Sequence, residues 1–243
     1  MRLWAALFWL ALWQAAAMLV GHDFLLASPA QSAMRFLELG CSAAFWQSVL
    51  YTLCRILSGF ALGLAAGVFC AFLSARFPRV RELIAPLWTV LRAIPVASFV
   101  IVALIWVPSR NLSVLISFLI VFPLIYAGTL SEIERADGKL IEMARLMRMP
   151  RLRRLTYIYI LPALDGFQSL CATAMGLAWK SGVAAELISI PSGSIGEKLY
   201  SAKVYLMTGD LFAWTAAIVL LSALCARLFS WILYLIAQRL ERM

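Results

Sequence analysis

Charge is scarce in this chain of 243 residues: 14% are Asp, Glu, Lys or Arg, against 64% hydrophobic, and mean hydropathy is +0.91. Soluble domains run nearer about 45–50% apolar and about 25% charged. The polar residues are too few to coat a soluble surface, so the bilayer is the fitting solvent. Histidine is nearly missing as well. His22 stands alone, which removes the commonest ligand of a haem-carrying membrane subunit. The five cysteines, Cys41, Cys54, Cys70, Cys171 and Cys225, are odd in number, widely spaced and without a CxxC pair. That pattern argues against a metal site or a disulfide framework and for small apolar residues. There is no G-x-x-x-x-G-K-[ST] loop; "GSIGEK" at 193–198 lacks its spacing and hydroxyl residue. HExxH, paired acids at catalytic spacing and a nucleophile–base arrangement are also missing, so a membrane enzyme has no sequence support.

Of the charge that is there, Lys and Arg number 21 and Asp and Glu 12, a formal net charge of +9. It lies between apolar runs and not on one face of a soluble fold. This fits the cytoplasmic bias of membrane proteins and not a nucleic-acid partner. Six runs approach the roughly 20 residues of a spanning helix: about 3–20, 46–74, 83–107, 112–130, 158–182 and 211–236. They predict an all-α polytopic membrane bundle of about six transmembrane helices, one domain over 1–243, without an inverted repeat. The first run has a positive start and an A-x-A at Ala15–Ala17, as a signal peptide does. Its length and its bulky Trp4, Trp9 and Trp13 favour a retained helix. Arg2, Arg76, Arg79, Arg81, the stretch Arg135 to Arg154, Arg239 and Arg242 fall on one side. Arg35, Arg110, Lys198 and Lys203 fall on the other. The bias predicts cytoplasmic N- and C-termini.

Within the spans, Gly59, Gly63 and Gly67 recur every fourth residue, a helix-packing pattern that lets a neighbouring backbone approach. Pro95 interrupts the third run three residues after Arg92. Arg55, Arg92, Lys180 and Glu186 lie in or near spans, where each charge costs about 2.5–3.5 kcal/mol or more at mid-bilayer and so faces protein or water. Arg92 beside Pro95 is placed to help an anion pass. Lys180 and Glu186 either pair, lie near the outer surface or line a path. Arg55 either snorkels or pairs between helices.

The stretch 142–162, "EMARLMRMPRLRRLTYIYILP", concentrates Arg145, Arg148, Arg151, Arg153 and Arg154. Ser131 to Glu134 has the form of a capping box, Asp137-Gly138 that of a turn, and a short helix is expected over 139–148. On it Glu142 can pair with Arg145. Met149-Pro150 should end that helix. Pro150 should open a second one that carries the next arginines towards Tyr157 and Tyr159. Met143, Leu146, Met147 and Met149 between the charges suit a docking surface. On these residues alone a partner-binding loop and an ordinary basic loop both stand.

The stretch resembles the "EAA" loop of bacterial ABC-importer permeases of the binding-protein-dependent, type I class, which reads E-A-A, three residues, G, nine residues, I-x-L-P. Glu142, Ala144 and Leu161-Pro162 match. Met143 takes the middle place, Arg148 occupies the glycine place, and the spacing to the final proline is one residue longer. Since that glycine normally takes a positive φ, the turn here is expected around Pro150 instead. "GLAWKSGVAAELI" at 176–188, "IGEKLYSAKVYLMTGDLFAW" at 195–214 and "LRAIPVASFVIVALIWV" at 91–107 resemble the nitrate/sulfonate/taurine-type permeases, so the likeness covers about 46–236.

The resemblance implies a non-catalytic permease subunit of an ATP-binding-cassette importer in the bacterial inner membrane. Its loop at about 131–156 would supply cytoplasmic coupling helices, with Glu142, Met143, Ala144, Arg145, Met147, Arg148, Pro150 and Arg151 facing the ATPase. Arg92, Pro95, Trp179, Lys180 and Glu186 become the translocation-pathway candidates. Implied partners are a second permease (homodimer or pseudo-dimer), two cytoplasmic ATPase subunits that hold ATP and Mg, and an extracytoplasmic solute-binding protein. No cofactor or metal is expected in this chain. The solute would be small, an anion such as nitrate, bicarbonate, a sulfonate or taurine, or a vitamin precursor. The alternative is an ion-coupled secondary transporter, for which Asp165 and Glu186 are the main acids.

Overall fold

The computed structural model describes residues 3–22, 25–135 and 138–241, except the side chains at 3, 6, 139–141, 145, 151–152, 155 and 240–241. Every regular element among them is a helix: α1 Leu3–Val20, α2 Pro29–Gly40, α3 Ala43–Arg76, α4 Pro78–Ala93, α5 Val96–Ala103, α6 Ser109–Glu134, α7 Gly138–Leu146, α8 Arg151–Arg154, a π-helical segment Leu155–Ile160, α9 Leu161–Ser189, α10 Ile195–Val204 and α11 Thr208–Glu241. Side-chain caps set several starts. Ser28 and Gln31 form a reciprocal capping box at α2, and Ser42 and Ser194 accept from Phe45 N–H and Glu197 N–H at α3 and α10.

Among the described residues three helices, in α3, α6 and α11, are long and apolar enough to cross a membrane, and α4 with α5 makes a fourth if a bent pair is counted as one span. That bend is 103°. The apolar run expected as one span over 83–107 is therefore folded sharply at Ile94-Pro95. Proline cannot donate at that point and excludes Ile94 from the helical region; Ile94 has ψ 125°. α9 has the length, at 29 residues, but Asp165, Gln168, Lys180 and Glu186 make it less apolar.

The core lies where α3, α6 and α9 meet. Ile56 and Phe60 of α3, Val121 and Ile125 of α6, and Cys171, Met175 and Trp179 of α9 form one buried cluster with Trp214 of α11. The three glycines of α3 set the closeness of this contact. A β-carbon on Gly63 would lie 2.8 Å from Val121 Cβ, and one on Gly67 2.9 Å from Ile125 Cβ; Gly59 abuts Val114 and Ser117. The glycine row thus faces α6 inside the chain.

The bundle has two distinct ends. At one end α3 turns into α4, Arg81 pairs with Glu134, and α7 and α8 follow. At the other lie α10 and α2, an element not anticipated in the 21–45 segment. α2 reaches across three helices: Trp13 Nε1 donates to Ala27 O just before it (3.1 Å), Arg35 Nε pairs with Asp210 (2.5 Å), and Trp46 Nε1 donates to Gly40 O (2.8 Å). The hydrogen bonds that the Arg35 guanidinium donates to Asp210, and next the one to Glu38, hold it well above its ordinary pKa.

Candidate functional site: the basic loop and an exposed face of α9

The basic stretch is two helical pieces joined by a left-handed turn. Arg148 has φ +49°. Around it Met149 N–H donates to Ala144 O at 3.0 Å and Met147 N–H to Met143 O at 2.9 Å, with Met149 N–H closing the six-to-one bond of a Schellman termination of α7. This corrects the expectation that Pro150 replaces the missing glycine. The turn stays at the glycine place, and arginine adopts the glycine conformation there. Two smaller corrections go with it. Ser131 and Glu134 lie in the last turn of α6 and cap no new helix, and α7 ends at Leu146, not 148. Asp137 lies outside the described residues.

Exposure on α7 is uneven. Met143 is 49%, Leu146 85% and Met147 70% exposed, whereas Ala144 is buried at 2%. Glu142 and Arg148 are exposed as well. An apolar surface of this kind, rimmed by charge and set on a fixed turn, is the form of a partner contact. The side chains of Arg145 and Arg151 lie outside the described residues, so the expected Glu142–Arg145 pair is not placed.

Beyond Pro150, α8 does not run straight into the span. Residues Leu155–Ile160 are π-helical, and Leu161 N–H donates to Thr156 O, five residues back. Pro162 explains part of this, since without an N–H it leaves the Ile158 carbonyl unclaimed by an ordinary i−4 bond. Closing i−5 bonds winds one extra residue into the turn. The extra residue between Arg148 and Leu161-Pro162 is absorbed there.

The five pathway candidates separate into two groups. Trp179 is 1% and Glu186 0% exposed. Glu186 Oε2 accepts from Thr52 Oγ1 at 2.8 Å and from Gly196 N–H at 3.4 Å, while Thr52 Oγ1 accepts from Ile195 N–H at 3.0 Å. Gly196 has no room for a β-carbon against Glu186. The carboxylate therefore fastens α9 to α3 and to the start of α10. It lies inside the packed bundle, not along an open face, and it is not paired with Lys180. Arg92, Pro95 and Lys180 are exposed. Arg92 lies 4.7 Å over the Trp88 ring, and Trp88 Nε1 donates to Pro123 O at 3.2 Å, anchoring α4 on α6. Arg55 pairs between helices, donating to Arg110 O and to Asn111 Oδ1 (3.2 Å) with its guanidinium 4.4 Å over Tyr51.

Comparison with known proteins gives consistent results. The family described as "Binding-protein-dependent transport system inner membrane component" matches residues 63–242. The riboflavin transport system permease protein RibX of Chloroflexus aurantiacus is 31% identical over 236 residues, covering 96% of this chain and 85% of that protein. The putative aliphatic sulfonates transport permease protein SsuC of Bacillus subtilis is 26% identical (84% and 74% covered), and the taurine transport system permease protein TauC of Escherichia coli is 23% identical (87% and 79% covered). Among solved structures, a chain of a bacterial ABC transporter involved in the import of the acidic polysaccharide alginate has the same fold, with a TM-score of 0.61 at 16% identity over 98% of this chain and 99% of that one.

Proposed function

The chain belongs to the family of binding-protein-dependent transport system inner membrane components, and we propose from that premise how this permease subunit works. It forms the translocation pathway for a small solute together with a second permease, a copy of itself or a homologue. Two cytoplasmic ATPase subunits bind and hydrolyse ATP with Mg, and an extracytoplasmic binding protein delivers the solute. The end carrying α7 and α8 faces the cytoplasm, as do both termini, in keeping with the arginine distribution.

One observation carries the coupling role. α7 presents Met143, Leu146 and Met147 outward from a turn fixed by Arg148, and is joined to α9 through the π-helical segment. Seated in a groove on the ATPase, α7 would move when the ATPase pair closes. Its motion would pass along the chain to α9, on which Lys180 lies. This is rigid-body transmission between two bistable elements. Asp165 and the enclosed Glu186 do not make a relay of acids, which disfavours ion-coupled transport. The test is Glu142→Ala combined with Met147→Asp in the complete complex. Co-purification of the ATPase and solute-stimulated hydrolysis should both fall. If assembly and stimulation both persist at the wild-type level, the coupling assignment is wrong.

A further inference from the structure

We infer that a cavity between the start of α9 and the end of α11 holds the head group of a membrane lipid that carries a primary amine, of the phosphatidylethanolamine kind. The inference goes beyond the permease reading and takes from it only the leaflet that the cavity faces. The cavity measures about 170 Å³ and is lined by Leu161, Asp165, Phe167 and Gln168 of α9 and by Tyr234 and Gln238 of α11, among others. One water needs only about 10–15 Å³, so the space takes a small organic group.

Its polar side chains are already ordered. Gln168 Nε2 donates to Ser230 O at 3.1 Å, and Gln238 Nε2 donates to the Tyr234 hydroxyl at 2.7 Å. Both amide oxygens are thereby left to accept. Asp165 is exposed, and among the described residues no ion pair takes up its carboxylate. Arg135 of α6 pairs instead with Glu132, which lies against Gly166. A carboxylate with two amide oxygens calls for a cation that has N–H donors. A divalent metal prefers several anionic oxygens, and the described residues hold no group of three His, Cys, Asp or Glu that could bind one. An ammonium fits, and the rings of Phe167 and Tyr234 in the same lining attract it further.

The level of the cavity selects a lipid over a soluble amine. Asp165 and Gln168 lie one and two turns into α9, just past Tyr157 and Tyr159. Tyr234 and Gln238 lie in the last two turns of the membrane-length part of α11, which runs to Arg239. Around them Trp231, Leu235 and Ile236 are exposed, an aromatic and apolar surface of the kind found at head-group level. Arg239 is exposed one residue further on, and a guanidinium suits a phosphate. An ethanolamine phosphate therefore meets an opposite charge at each end. A choline head has no N–H for the amide oxygens, and a glycerol head has no ammonium. Bound there, the lipid joins α11 to the start of α9, where α8 and the π-helical segment lead in.

The experiment is native mass spectrometry of the complete complex, titrated with phosphatidylethanolamine, phosphatidylcholine and phosphatidylglycerol of one chain length. The wild type should bind phosphatidylethanolamine roughly tenfold more tightly than either of the others, about the worth of one hydrogen bond to a charged group. Asp165→Asn should erase that preference and Asp165→Glu should keep it, while Glu197→Gln, at the other end of the bundle, should leave it unchanged. If Asp165→Asn does not assemble, Gln238→Leu carries the same prediction. No preference in the wild type, or a preference that survives both Asp165→Asn and Gln238→Leu, would overturn the site. Displacement of the lipid by free ethanolamine at equal concentration would assign the cavity to a soluble amine and overturn the lipid as its occupant.

Discussion

Thr52 and Glu186 are 134 residues apart in sequence and joined by a 2.8 Å hydrogen bond in the buried centre of the bundle. Thr52 donates to the carboxylate and in turn accepts the Ile195 N–H at the first turn of α10. The V-A-A-E segment is thus a three-helix fastening, with Gly196 small because the Glu186 backbone and side chain occupy the adjoining space.

Removing that carboxylate leaves a buried hydroxyl and a buried amide short of an acceptor. Glu186→Ala should destabilise the subunit by roughly 1.5–3 kcal/mol, the range for hydrogen bonds to charged groups. Glu186→Gln, which keeps an acceptor oxygen, should destabilise it less. Thermal unfolding of the purified complex in detergent measures both. An Ala variant as stable as wild type would refute the fastening.

The α3–α6 contact makes a second prediction. Gly63→Val places branched carbon against Val121, and overpacking of this kind costs about 1–3 kcal/mol. Gly40→Val, at a position with open space, is the control. If the two variants lose equal stability in the same unfolding assay, the close approach is not what Gly63 provides.

Arg148 holds a left-handed conformation that costs a non-glycine residue about 1–2 kcal/mol. Arg148→Gly should therefore slow amide exchange at Met149, whose N–H closes the turn, and leave ATPase stimulation intact. Arg148→Pro, which cannot take a positive φ, should speed that exchange and abolish the stimulation. Faster exchange in the glycine variant would contradict the turn described here.

How much of this was readable beforehand differs by element. The long apolar runs mark α3, α6 and α11 because length and hydropathy are local properties. The coupling stretch is marked by Glu142, Ala144 and Leu161-Pro162, a pattern kept in order along the chain. The Arg148 turn is hidden in the sequence, since an arginine argues against a positive φ, and only the closing of α7 by Met149 N–H reveals it. A charge in a span, such as Glu186, can face a path or a buried partner, and its partners Thr52 and Gly196 are visible only once α3, α9 and α10 are assembled. α2 has no such signature, because its twelve residues mix charge with apolar side chains and form no long run.

At the π-helical segment sequence spacing and helix geometry meet directly. Deleting Tyr157 should let residues 155–160 revert to an ordinary α-helix and keep α7 in phase with α9, so solute-stimulated ATPase activity should survive. Inserting an alanine after Tyr157 should uncouple hydrolysis from the solute. The reverse order of effects would show that the extra residue is not absorbed there.

The central claim is that this chain is the membrane part of an ATP-driven importer. Its most direct test is uptake into proteoliposomes holding the permease and its ATPase subunits, with the solute-loaded binding protein outside and ATP inside. Accumulation should require internal ATP, stop when the ATPase's phosphate-loop lysine is replaced by alanine, and continue when ionophores collapse proton and sodium gradients. Uptake by the permease alone, driven by an ion gradient without ATP, would contradict it.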